Sequence, residues 1–258
     1  MKKYIENFWR FKPLLSELVS RDIKIKYRRS VLGVLWTILN PLCMMIILSI
    51  VFSNIFKFDV EHFPLYVLSG QVVFNFFNDA TTSSMTSILF NASLIKKVYV
   101  PKYLFVLAKI FSSLINLMAS LCALLTMMVV MRVELYWEII LSIIPLVMLV
   151  GFSLGAGLLL AALTVRFRDI MHLYAVFTTG LMYLTPVIYP MSILPDTIRR
   201  IVMLNPLTNY LLMFRDTMFN QMMPTMESLV IGFVEMVVMI ALGLWVFYKK
   251  QDGFILDL

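Results

Sequence analysis

Long uncharged runs alternate with short clusters of Lys and Arg along the whole chain. Six of these runs reach the roughly 20 residues that a helix needs to cross a bilayer. They cover residues 31–56, 63–95, 103–131, 139–165, 170–189 and 228–248. The second contains Asp79, the third carries Lys109 near one end, and the sixth contains Glu235. A further apolar piece, residues 201–214, is too short to cross and reads as re-entrant or interfacial. The expected fold is an all-α membrane protein with six transmembrane helices.

The segments around these runs carry their own periodicity. Phe11, Leu14, Leu15, Leu18 and Val19 recur at helical spacing, which predicts an amphipathic interface helix within residues 1–30. Pro13 fits its first turn, Lys12, Glu17 and Arg21 fall on other faces, and Phe8, Trp9 and Tyr27 suit a membrane–water boundary. The cationic stretch from Arg21 to Arg29 then runs without a loop into the first span, with a turn at Gly33 to Trp36. Between spans two and three, residues 91–102 form a basic linker, and Pro101 is expected to open the next helix. Asp169, after Arg166 and Arg168, is placed to cap span five. Beyond it, Pro186, Pro190 and Pro195 interrupt any helix. Asn205 is expected as an N-cap with Pro206 at the first helical position. Two short re-entrant helices, about 196–204 and 206–220, should follow within residues 191–222. The six-span domain is thus residues 31–248, and 249–258 form a tail.

Charge placement sets the orientation. With both ends cytoplasmic, 17 of the 22 Lys and Arg lie inside, leaving Lys57, Arg132, Arg199, Arg200 and Arg215 outside. The net charge of +7 alone would admit nucleic acid, but these cations flank apolar runs, so no nucleic-acid partner is expected. Sixty-one per cent hydrophobic residues and a mean hydropathy of +0.89 exclude an ordinary soluble domain. Lys2 and Lys3 precede an amphipathic stretch, so no cleavable signal peptide is expected. Cys43 and Cys122 sit inside apolar runs and suggest neither a disulfide nor a metal site.

Inside the membrane, Asp79 is surrounded by Asn75, Asn78, Thr81, Thr82, Ser83 and Ser84. Such groups line an aqueous path or hydrogen-bond between helices, and the sequence leaves both open. Glu235 has fewer polar neighbours. Gly151 and Gly155, with Gly157 and Ala161, predict a close helix contact. Phe74, Phe76, Phe77, Tyr183 and Tyr189 could stack on sugar rings or simply pack. No phosphate-binding G-x-x-x-x-G-K-[S/T] loop, H-E-x-x-H pattern or G-x-S-x-G elbow occurs, and His62 and His172 are isolated. No catalytic residue, cofactor or metal is expected on this chain.

Several motifs fall in a family order: R-D-I-K-I-K-Y-R-R-S-V-L-G-V-L-W, F-N-F-F, N-A-S-L-I-K-K-V-Y-V-P, R-F-R-D and T-P-V-I-Y-P with L-N-P-L-T. From about residue 16 to 220 the chain resembles the ABC-2 permeases, and within them the exporters of O-antigen, capsule and teichoic-acid polymers. Val100 and Phe74 stand where that family often has an aromatic residue and a nearby Trp. The resemblance implies a homodimer in the bacterial inner membrane, working with two ATP-binding cassette subunits that hold the ATP and Mg. It implies ATPase coupling through Leu15, Glu17, Arg21, Leu94, Ile95, Lys96 and Lys97. A lipid-phosphate entrance would use Arg28, Arg29, Arg166 and Arg168. The glycan path or gate would involve Phe74, Phe77, Asp79, Tyr183, Tyr189, Pro186, Pro190 and Asn205. The substrate would be a lipid-linked glycan, with membrane lipids as neighbours. The rivals are an ABC-2 exporter of a small lipid or drug and a proton-coupled transporter using Asp79 and Glu235.

Overall fold

The structure, a computed structural model, describes residues 2–28, 30–55, 62–134 and 136–254. Arg29, Lys57 and tail residues 255–258 lie outside these, as do the side chains of Lys2, Lys3, Phe8, Trp9, Arg10 and Tyr27. Among the described residues every regular element is a helix. In order they are α1 (Lys2–Tyr27), α2 (Trp36–Ile55), α3 (Phe63–Phe90), α4 (Ala92–Lys97), α5 (Tyr103–Val130) and α6 (Ile143–Arg166). The series continues with α7 (Ile170–Leu184), α8 (Asp196–Met203), α9 (Pro206–Met218) and α10 (Met226–Lys250).

Three helices are long and apolar enough to cross a membrane, within Tyr103–Val130, Trp137–Arg166 and Met226–Gly253; Trp36–Leu48 and Ile170–Leu184 are shorter apolar helices. Apolar side chains outside the core, such as Ile46 and Ile47 of α2 and Val230 and Phe233 of α10, are exposed on the chain. A bilayer accepts such surfaces where water would not.

Several boundaries depart from expectation for local reasons. Pro13 lies inside α1 instead of opening it, so α1 extends a full three turns further toward the N-terminus. The junction to span one is not continuous: α1 ends at Tyr27, and a turn with left-handed Gly33 (φ 52°) precedes α2. Span two divides at buried Asn91, whose Nδ2 donates to the Ser87 carbonyl at 2.7 Å. The run expected as span five forms a helix only as far as Leu184, well short of Tyr189, because Pro186 holds the preceding Thr185 extended (ψ 131°). Fifteen residues make α7 only about 22 Å long. Asp169 occupies the N-cap position of α7 without a capping side-chain bond. Pro101 stands two residues before α5 and accepts from the Leu104 N–H at 3.1 Å. By contrast, Asn205 caps α9 as its sequence predicts, accepting from Leu207 N–H at 3.1 Å with Pro206 at the first helical position.

Two apolar cores hold the helices. The larger joins α3, α5, α6 and α9 through residues such as Leu68, Phe76, Leu124, Leu149 and Phe214. The second gathers Leu15 and Leu18 of α1, Ile95 of α4, Leu104 of α5, Leu158 of α6 and Phe247 of α10. Phe254, just beyond α10, is buried in it and meets Phe247 edge to face at 5.5 Å. Lys102 sits over the Phe254 ring and donates to the Gln251 carbonyl. Burial there lowers the Lys102 pKa, and the Asp252 carboxylate opposes part of that shift.

The most extensive helix pair is α6 with α10. Its closeness requires glycine, since a Cβ on Gly243 would come within 2.2 Å of the Gly155 carbonyl oxygen. A Cβ on Gly155 would meet the Met239 carbonyl at 2.4 Å, so the Gly151–Gly155 motif is a packing face. Gly243→Ala should therefore separate α6 from α10 and cost about 1–3 kcal/mol. Gly180→Ala, where nothing lies within 4 Å, should be neutral or mildly stabilising. Thermal unfolding of the two purified variants in one detergent checks the contrast.

Candidate functional site

The proposed coupling residues divide by burial. Leu15 and Ile95 are core residues that bind α1 and α4 into one unit, and Leu94 packs against the same cluster. Glu17, Lys96 and Lys97 are exposed on its surface. Val98 and Tyr99 extend that surface, with Tyr99 91% exposed. A large aromatic ring held in the open by a rigid two-helix platform is suited to insertion into a partner. Sequence reasoning stopped at the lysines and passed over Tyr99, although its position between Lys97 and Pro101 marks it as a turn residue.

The cationic end of α1 does more than mark a surface. Arg21 Nη2 donates to Asn91 Oδ1 at 3.0 Å. One residue on, Asp22 pairs with Lys109 of α5 at 2.7 Å. Lys26 then reaches Asp79 of α3 at 3.7 Å. By the helix rise, Asp79 lies about 18 Å along α3 from Asn91. The same carboxylate oxygen accepts from Ser113 Oγ at 3.0 Å and Asn116 Nδ2 at 2.8 Å. Asp79 is thus tied to two helices besides its own. Among the described residues Glu235 accepts one weak hydrogen bond, from Asn209 Nδ2 at 3.5 Å. Arg28 is exposed at the end of α1, while Arg166 and Arg168 are exposed at the α6–α7 turn, where Arg166 lies against the Phe167 ring.

Between α2, α3 and α5 runs an open groove of about 830 Å³. Asn40, Gln71, Asn75, Asn78, Asp79, Thr82 and Ser120 give it a polar wall. Trp36 and Phe90, both well exposed, stand beside it. The polarity of α3 is therefore shared between two roles. Asn75, Asn78 and Thr82 face the groove, while Thr81 is buried and accepts from Tyr174 Oη of α7 at 2.6 Å. Phe74 and Phe77 do not line this groove: both are packed in the larger core, Phe77 against Phe152. Phe76 contributes to the lining, and Tyr183 is exposed on α7.

At the opposite end of α3 from Asn91, Arg215 of α9 is buried and has no carboxylate in ion-pairing range among the described residues. Four acceptors surround it instead. Nε donates to Ser69 Oγ at 3.1 Å and Nη1 to the Pro186 carbonyl at 2.7 Å. Nη2 donates to the carbonyls of Tyr66 at 2.9 Å and Val187 at 3.0 Å. The guanidinium also lies 3.5 Å from the centre of the Tyr66 ring. Tyr66 Oη donates to the Tyr189 carbonyl, Tyr189 Oη donates to the Tyr183 carbonyl, and Asn205 Nδ2 donates to Thr185 Oγ1. Pro186 and Asn205 thus serve a proline-broken segment fixed by one cation, and Pro190 lies at the edge of an adjoining cavity. Gly70 permits the approach, since a Cβ there would meet the Val187 oxygen at 2.7 Å and Arg215 Nη2 at 2.8 Å.

The residues that build the groove, the α1–α4 platform and the proline segment all fall within one known sequence pattern. The pattern of the ABC-2 type transporter family matches residues 13–219. The chain belongs to that family. It is 26% identical over 98% of both chains to an O-antigen export system permease of Myxococcus xanthus. It is 21% identical to a capsule polysaccharide export inner-membrane protein of Neisseria meningitidis, covering 97% of this chain and 96% of that one. A polysialic acid transport protein of Escherichia coli is 24% identical over 80% of this chain and 81% of its own.

Arg215 escaped the sequence reading because it was counted as a loop cation. It directly follows the apolar piece Leu211, Leu212, Met213 and Phe214, and an ionisable group set against a long apolar run is the signal that singled out Asp79 and Glu235. Arg215→Ala orphans several buried acceptors at about 1–3 kcal/mol each, and Arg215→Lys, lacking the planar fork, should recover only part. Melting of the purified protein should fall in the order wild type, Lys, Ala. For the second cluster, Lys26→Met and Asp79→Asn should each destabilise, with the double variant losing less than their sum. Both side chains are partly exposed, so the coupling in a double-mutant cycle should be below about 1 kcal/mol.

Proposed function

We propose that this chain is the membrane-spanning permease subunit of an ABC exporter that moves a lipid-linked polysaccharide across the bacterial cytoplasmic membrane. The polymer is of the O-antigen, capsule or teichoic-acid type. The observation that carries this reading is the near full-length likeness to permeases named for O-antigen and capsule polysaccharide export. The groove supports it physically. Its volume is about 830 Å³, and the amide, hydroxyl and carboxylate groups on its α3 side are better served by water or protein than by lipid. A second copy closing that side turns the groove into a channel, and amides, hydroxyls and exposed aromatic rings are the groups that bind sugars weakly enough to let them pass.

In this reading the chain crosses the membrane six times, with α2, α3, α5, α6, α7 and α10 as spans and both ends cytoplasmic. The helices α8 and α9 re-enter the outer leaflet, where Arg215 and the proline-broken segment form the outer gate. Two ATP-binding cassette subunits dock on Glu17, Lys96, Lys97 and Tyr99. Their motion reaches α3 and α5 through the Arg21, Asp22 and Lys26 contacts, and the left-handed turn at Gly33 lets α2 follow. Arg28, Arg166 and Arg168 attract the diphosphate of the lipid carrier.

Reconstitution of the chain with its ATPase in vesicles loaded with a lipid-linked glycan tests the whole reading. ATP-dependent appearance of glycan on the far side is expected, with none from the permease alone. Transport that proceeds without the ATPase, or that serves small lipids and not the glycan, would overturn it. Within that assay Tyr99→Ala should reduce export and co-purification of the ATPase together, about tenfold if the ring is a docking anchor.

A further inference from the structure

A second cavity, separate from the groove, lies beside Arg215. It has a volume of about 650 Å³ and forms where the start of α3, the α5–α6 connection, the segment after Pro190 and the end of α9 meet. It shares no lining residue with the groove. Small-ligand sites commonly measure about 300–1,000 Å³.

The backbone singles this cavity out. Among the described residues three non-glycines adopt left-handed backbone: His62 (φ 52°), Arg132 (φ 57°) and Gln221 (φ 54°). They belong to three different connections, yet all three line this one cavity. Conformations of this kind persist where the surroundings enforce them, and they gather at ligand sites.

The side chains define the ligand. Arg132 has no carboxylate in ion-pairing range among the described residues, while Glu134 and Asp216 supply acceptors on the same walls. Asn220 donates to Asp216 Oδ1 at 2.9 Å, Tyr136 donates to Glu134, and all four residues line the same cavity. A simple anion would meet two carboxylates, and no metal-holding cluster occurs among the described residues. A pyranose fits better, because each hydroxyl both donates and accepts and the ring offers an apolar face to an exposed tyrosine.

We propose that this cavity is a sugar-binding subsite that holds residues of the glycan as it leaves the channel. The proposal rests on the export reading above, which places this end of α3 on the outer face. A site here would retain the emerging segment between power strokes and oppose its return.

The test uses the complete permease–ATPase complex in nanodiscs and, as probe, the delipidated surface polysaccharide of the cells that carry this chain. Saturation-transfer NMR measures binding, and export by the same preparation is measured in vesicles. Arg132→Asn, which keeps a residue tolerant of left-handed backbone, and Asn220→Ala are both exposed-site changes. Together they should weaken polysaccharide binding about tenfold and slow export, with ATPase assembly unchanged. Wild-type binding that the variants do not weaken overturns the site, as does an exporting complex that shows no binding. Variant-sensitive binding by a complex that exports nothing keeps the site and overturns the export reading instead.

Discussion

A single buried guanidinium organises the end of the molecule where the chain is least regular. The segment from Thr185 to Pro195 contains three prolines and no helix longer than one 3-10 turn, so its carbonyls have no ladder to join. Exposed at membrane depth, each would cost free energy comparable to a lost hydrogen bond. Arg215 donates to two of them and to the Tyr66 carbonyl, and Tyr66 in turn donates to the Tyr189 carbonyl. Only arginine has enough donors, spread in one plane, to serve so many acceptors at once. The arrangement exacts two further conditions: Gly70 must lack a side chain, and α9 must start where Asn205 caps it. Remove the cation and α3, α9 and the proline segment lose their common anchor together.

The elements that the hydrophobic pattern revealed most clearly are those whose reason is local. Long apolar runs became long helices, Asn205 and Pro206 started a helix, and Gly151 with Gly155 marked a close contact. What stayed hidden depends on distant partners. Nothing near Phe74 or Phe77 in the sequence tells that both turn into the core while Asn75 and Asn78 turn out to the groove; a helical wheel separates the faces but does not say which one is wet. Nor does the order of charges tell that Asp22 finds Lys109. The break at Leu184 was legible in principle, since Thr185 precedes a proline, but the apolar run continued across it and masked the stop.

The two polar systems differ in how firmly they hold, and this difference bears on mechanism. Arg215 is buried and donates to four acceptors, which suits a part that keeps its shape. The ties of Arg21 to Asn91 and of Lys26 to Asp79 are part-exposed, whereas the Asp22–Lys109 pair between them is short, at 2.7 Å, and largely enclosed. Leu15 and Leu18 fix α1 in the apolar cluster with Ile95, the Asp22–Lys109 pair holds it to α5, and the Lys26–Asp79 contact near its end is the weak, part-exposed one.

Asp79 is the place where these requirements meet. It stands on the wet wall of the groove, accepts from two groups of α5 and pairs with the last turn of α1. A displacement of α1 that withdraws Lys26 would leave a carboxylate still solvated by Ser113 and Asn116, so the path would gain a negative group without a buried-charge penalty. Restoring Lys26 would neutralise it again. The charge on the groove wall is thereby linked to the position of α1, which also packs through Leu15 and Leu18 against Ile95 of α4.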